Sequence, residues 1–283
     1  MIAAGGTAGA LLGPVMTDIF VETVGNGGIL FLGASMFLLA IVCQRVLLRI
    51  WQGADWAGTG TRAQDRPIGG NPFAGFTLLL RSPYLLGIAL FVVLLASVNT
   101  FLYFEQLRIV TDTFPDVQQR TQVFSRLDYT VQTLTIISQF IITGRLASRF
   151  GVGALLTGVP VVMVLGFLML AGFHTFGVLA AVMIARRVGE YAFVRPGREM
   201  LFSRVDIETK YKAKNTIDVP VYRGGDALTG QVDKMLMGGG VAASSVALLG
   251  AAVAAAWAVN GFILGRSRRE AEEKREPRAA AAV

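Results

Sequence analysis

The chain has 283 residues, 53% of them hydrophobic and 16% charged, with a formal charge of +7 and a mean hydropathy of +0.57. A soluble domain carries nearer a quarter charged residues, so the composition argues against a soluble enzyme. The apolar residues gather into runs of about 20, the length an α-helix needs to cross a bilayer, which predicts an all-α polytopic membrane protein. The single cysteine, Cys43, supports neither a disulfide framework nor a Cys-based metal site.

Eight spans are predicted in chain order. The first covers residues 2–20 and the second 27–48. A polar, Gly/Pro-rich linker follows over 49–82. The third span, 83–104, opens on a proline at a first-turn position, where the missing N–H costs nothing. A charged connector leads to the fourth, 127–147. The fifth is 151–173 and the sixth 176–194. A basic stretch precedes the seventh, 217–240, the weakest of the set because Arg223, Asp226, Asp233 and Lys234 depress its hydropathy. The eighth is 241–265, and 266–283 is a charged, then Ala-rich tail.

Eight spans with a cytoplasmic start place both ends on the inner side. Only Arg108, Arg120 and Arg126 then fall outside, and Arg186, Arg187 and Lys234 lie within spans. The remaining Lys and Arg, with Arg45, Arg145 and Arg223 at the inner ends of their spans, collect on the inner side, the positive-inside pattern. Dropping the seventh span would put the basic tail outside, so the span is retained. The same distribution disposes of nucleic acid as a partner. The charge sits in short loops at one membrane face, where anionic lipid attracts it, without zinc-finger or RNA-binding signatures. The implied surroundings are the lipid bilayer.

An ionisable side chain at a helix centre in the bilayer costs about 2.5 to 3.5 kcal/mol on insertion scales, so it normally faces a cavity or a partner. In the sixth span, Arg186 lies about 15 Å deep at 1.5 Å per residue. Glu190, four residues on, shares its face. The pair is either a salt bridge locking two helices or an anion site from which substrate displaces Glu190. Arg187 points about 100° away and needs another partner.

The fourth span carries Asp128, Gln132, Thr135 and Gln139 along one stripe, as a cavity-lining helix would, although interhelical hydrogen bonding also accounts for Gln and Thr. Asn99 and Tyr103 share a face of the third span and could meet a polar substrate or a base. A membrane-interface anchor is the other reading of the tyrosine. In the seventh, Lys234 is a candidate phosphate contact or a bundle ion pair. His174, in the outer turn, reads as an interfacial residue. No P-loop, zincin, nucleophile-elbow or kinase motif occurs. The chain therefore reads as neither an enzyme nor an ATP-driven pump, and no cofactor is called for.

Two short motifs resemble those of the major facilitator transporters. Gly9-x-x-x-Gly13-Pro14 suits a close, kinked helix crossing and resembles the Gly-x-x-x-Gly-Pro signature of that family's fifth helix. Gly144-Arg-Leu-Ala-Ser-Arg149-Phe-Gly151 looks like a degenerate Gly-x-Leu-x-Asp-Arg-x-Gly loop between helices eight and nine. Both give an offset of four helices. The resemblance implies an incomplete major-facilitator bundle of about eight transmembrane helices. Residues 1–48 would be the last two helices of an N-terminal bundle, 49–82 the cytoplasmic inter-bundle linker, 83–265 a C-terminal six-helix bundle and 266–283 the cytoplasmic tail. Four helices of about 35 residues each with their loops would be missing, and residues 1–283 alone would then not exchange substrate.

The longest resemblance lies between the sixth and seventh spans. Pro196, Arg198, Glu199 and Met200, then Lys210, Lys212 and Lys214, then Ile217, Asp218, Arg223 and Gly225 look like the corresponding loop of the ATP:ADP antiporter (nucleotide exchange) family of plastids and obligate intracellular bacteria. That resemblance implies a secondary transporter in a bacterial inner membrane, exchanging a small anionic substrate, ATP or ADP, by alternating access. Arg186 and Arg187 would hold the anion, Glu190 would balance charge, and Asp128, Gln132 and Gln139 would line the path. Asp226 stands where nucleotide carriers tend to place a lysine, which favours a second expectation: a major facilitator for another anion, proton-coupled through Asp128 or Glu190. A truncated, non-transporting membrane protein is the third.

Overall fold

The computed structural model describes residues 2–53, 74–139 and 144–273. All regular structure among them is helical. Four helices are long and apolar enough to cross a membrane: Ala8–Ile50, Pro83–Thr113, Gly151–Gly172 and Ala243–Ser267. The chain is thus all-α and compatible with an integral membrane protein. The segments expected as the fourth, sixth and seventh spans are also helical, but they are shorter or more polar. Most of the 49–82 linker and the end of the tail lie outside the described residues, as does 140–143 of the fourth span.

The first helix, α1 (Ile2–Gly53), carries the first two expected spans as two arms. They meet at Gly25, whose φ of 68° and ψ of 176° are open essentially to glycine alone. α2 (Ala74–Arg81) lies in what reads as linker. α3 (Pro83–Thr113) begins where Ser82 accepts the Leu85 N–H and Pro83 supplies the first turn. α4 (Val117–Ser138) starts ten residues before the expected fourth span. α5 (Gly144–Gly172) breaks at Gly151, with φ 73° and ψ 179°. After α6 (Phe176–Gly189) the helix widens into a π turn, Glu190–Val194, and tightens again as α7 (Arg195–Leu201). α8 (Ile207–Thr216) passes through a second π turn, Ile217–Val221, into α9 (Tyr222–Gly238). α10 (Ala243–Glu273) continues well into the expected tail. Pro196 and Pro220 explain both widenings: a helical proline clashes with the carbonyl four residues back, and an inserted residue relieves the clash.

The chain divides into two compact units, Met1–Gly70 with Pro115–Tyr129, and Asn71–Phe114 with Thr130–Val283. In the first unit α1 meets the beginning of α4 through polar side chains. Arg126 donates to Asp18 at 3.0 Å, Gln122 to Glu22 at 2.7 Å and Thr121 to Asn26 at 2.9 Å. Most apolar side chains of α1 face outward, among them Leu30 and Phe31. A Cβ placed at Gly9 or Gly13 would meet nothing within 4 Å. The close crossing expected there is not made within the first unit.

In the second unit α3 packs against α9 and α10, and α5 against α10. Small residues of α10 let the backbones approach. A Cβ on Gly265 would sit 2.4 Å from the Gly153 Cα, and one on Gly261 would sit 2.6 Å from the Leu156 carbonyl oxygen. Phe91 and the fully buried Trp257 close the core with ring centres 5.5 Å apart.

Candidate functional site

A cavity of about 980 Å³ opens among α3, α6, the π turn after it and α9. Its polar centre is a five-residue network. Arg186, near the end of α6, donates through Nη1 to Asn99 Oδ1 on α3 and to Glu190 Oε2 at 3.1 Å. Asn99 Nδ2 reaches Glu190 Oε2 at 3.3 Å and the Tyr222 hydroxyl at 3.2 Å. Arg195 approaches the other Glu190 oxygen at 3.4 Å, with its guanidinium 4.3 Å from the centre of the Tyr191 ring, within cation–π range. Arg186 and Glu190 are about nine-tenths buried, whereas Arg195 is half exposed. The Arg186 Nε has no hydrogen-bond partner.

The α9 wall adds Arg223, Asp226, Asp233 and Lys234. Thr100 donates to Asp226 at 2.9 Å, and Arg223 stands 3.7 Å from the same carboxylate. Asp233 is held by Arg108. Lys234 makes no ion pair among the described residues. Cationic groups therefore outnumber anionic ones around the cavity, and Tyr103, Phe104, Tyr191 and Tyr222 supply ring faces and edges.

Of the residues singled out in the sequence, Asn99, Tyr103, Arg186, Glu190 and Lys234 come together around this cavity. Arg187, Asp128, Gln132 and Gln139 do not line it. Gln139 instead donates to the Tyr191 carbonyl at 3.2 Å. Sequence reasoning gave no role to Tyr222, Arg195 or Thr100. The usable signal was Pro196 and Pro220, whose π turns abut Glu190 and Tyr222 and reset the helical faces on either side.

Comparison of the chain with family models, with curated proteins and with solved structures finds no match.

Proposed function

We propose that the chain is a secondary membrane carrier for a small anionic solute, of the nucleotide-exchange kind, with its substrate held in the cavity around Arg186. The observation that carries this reading is the placement of Glu190. Its carboxylate occupies two guanidiniums inside an open, cation-rich cavity. An incoming phosphate or carboxylate can displace it, because such groups make strong paired bonds to arginine. The volume suits a small-molecule ligand, and the aromatic side chains offer surfaces for a base. The exchange cycle would be alternating access in a major-facilitator-type bundle to which these spans belong, in a bacterial inner membrane with both ends cytoplasmic.

Asp226 in the cavity wall favours one other reading, a carrier for an anion with fewer charges than ATP. Equilibrium binding of labelled ADP to the chain in lipid nanodiscs tests both. Saturable binding weakened about ten- to a hundred-fold by Arg186→Gln is expected, the scale of one lost charged hydrogen bond. Displacement of ADP by phosphate or a small dicarboxylate at lower concentration than by unlabelled ADP would favour the other anion. Absence of saturable anion binding would overturn the site. The orientation is tested separately: single cysteines in the 207–216 helix should resist impermeant labels added outside intact cells, and efficient labelling would invert the topology.

A further inference from the structure

A second charged cluster meets the cavity at Asp233. Glu105 and Arg108 lie one turn apart on α3, Asp233 is on α9, and His174 is in the turn between α5 and α6. Arg108 donates to Glu105 Oε2 through Nε at 3.1 Å and Nη2 at 2.7 Å. It also donates to Asp233 through Nη1 at 2.9 Å and Nη2 at 3.3 Å. One guanidinium thus serves two carboxylates, each only 5% exposed. Glu105 Oε1 takes no hydrogen bond and lies 3.1 Å from Nδ1 of His174, whose side chain is 40% exposed.

The packed neighbours bring little other charge to this place. Residues 151–173, α6 before Arg186 and α10 before Arg266 contain no titratable side chain. α3 adds the exposed Asp112, and α9 adds Lys234 and, two turns back, Asp226. α9 runs alongside α3 with Gly225 against Val93 and Ala96 and Gly230 against Phe104. The charged residues before Gly225 therefore lie toward the other end of α3.

We infer that Glu105, Arg108, Asp233 and His174 form a proton-binding site that opens to water at His174 and acts on the cavity through Asp233. With His174 neutral the four groups carry a net charge of −1, and an excess charge among apolar helices is costly. One proton passes from hydronium in the surrounding water to the exposed side of the His174 ring, breaking an O–H bond, forming an N–H bond and leaving a water molecule. Nδ1–H then faces the Glu105 oxygen and the cluster is neutral. The imidazolium then satisfies Glu105, Arg108 is freed to neutralise Asp233, and the cavity wall loses negative potential. An anion in the cavity and a proton at His174 would therefore favour each other's binding, and by linkage the effect is reciprocal. This coupling rests on the reading of the cavity as an anion site; the proton site does not.

The chain has one histidine, so its ring can be followed alone by ¹⁵N NMR in nanodiscs as pH is varied, with no ligand present. In Glu105→Gln the pH response of the ring should differ from the parent's, because the carboxylate facing Nδ1 is gone. Coincident curves would overturn the proton site. ADP affinity is then measured on both sides of the histidine titration. The nucleotide's own titration is common to all variants, so differences between variants are read. The parent should bind about ten-fold more tightly on the acid side, Glu105→Gln tightly throughout and His174→Gln weakly throughout. Equal pH dependence in all three would overturn the coupling. Absence of ADP binding in all three would overturn the anion reading and the coupling with it, while the histidine titration decides the proton site alone.

Discussion

Two helices apolar enough to cross a membrane are held in opposite ways. Ala8–Ile50 buries none of its most apolar stretch inside the protein, whereas Pro83–Thr113 buries 56%. Hydropathy states what a helix can face; its polar residues state what it does face. In α1 the hydroxyls of Thr17, Thr23 and Ser35 bond back to carbonyls of their own helix, at Gly13, Phe20 and Leu32, and so ask for no partner. In α3, Asn99, Thr100 and Arg108 reach across to α6 or α9. The buried helix is the one whose polar groups reach two other elements, whereas those of α1 that leave the helix, Asp18, Glu22 and Asn26, meet α4 alone.

The contrast breaks most sharply at Arg186. Arg186→Ala leaves Glu190 buried with only the longer Arg195 and Asn99 contacts, and removing one partner of a buried pair costs about 3–5 kcal/mol. Thermal unfolding and folded yield in nanodiscs should both fall. Adding Glu190→Gln should restore much of the loss, since replacing both partners is often near neutral, yet the double variant should not bind ADP. Arg186→Lys keeps the charge but loses the planar fork, so it should fold and bind more weakly. A double variant that binds ADP at the parental affinity would remove this pair from the site.

Glycines sharpen the comparison at a smaller scale. In the second unit, Gly261→Ala presses a methyl group against the Leu156 carbonyl oxygen, where a backbone atom would have to move. Overpacking of this kind costs about 1–3 kcal/mol. Gly33→Ala in α1 meets nothing within 4 Å and gains about 0.5–1 kcal/mol from helix preference. Melting temperatures of the two variants should move in opposite directions. A loss at Gly33 matching that at Gly261 would mean that α1 is packed as tightly as α10.

The sequence carried some of this arrangement in its spacing. Long apolar runs marked the four longest helices, and the breaks at Gly25 and Gly151 fall where connections were expected, because glycine alone tolerates that backbone. Arg186 with Glu190, and Asn99 with Tyr103, were found because four residues make one helical turn. The same arithmetic found the Asp128–Gln132–Gln139 stripe, but a stripe does not say which neighbour it faces, and this one does not face the cavity. Arg187 lies one residue, about 100° of helix, from the cavity-lining Arg186. The Glu105–Arg108–Asp233–His174 cluster draws on three separate segments, so no local spacing could announce it.

The polar contacts of the first unit are a milder test of the same idea. Arg126 is 61% exposed where it meets Asp18, and exposed pairs contribute about 0–1 kcal/mol. Asp18→Asn should lower stability by no more than that, with most of the difference erased by high salt. A loss of several kcal/mol in a denaturant titration would show this contact to be as closely held as the Arg186 network.

The smallest effect is expected where water competes freely. Asp206 caps α8, accepting the Thr209 N–H at 2.9 Å, and that bond holds its carboxyl below the usual carboxylate range. A carboxyl depressed in the folded state contributes stability that is fully present above its unfolded value of about 3.9. That contribution is lost as pH falls through the lower folded value. The α8 cap should therefore be indifferent to pH near neutrality and loosen only in acid. The Thr209 amide resonance reports it: in the parent it should shift as Asp206 protonates. In Asp206→Ala the acid-dependent shift should vanish and the first turn should fray at every pH. Asp206→Asn, which can still accept the bond, should keep the turn and lose only the pH response. If the alanine variant kept the parental shift, the acid response would come from another group and not from the cap.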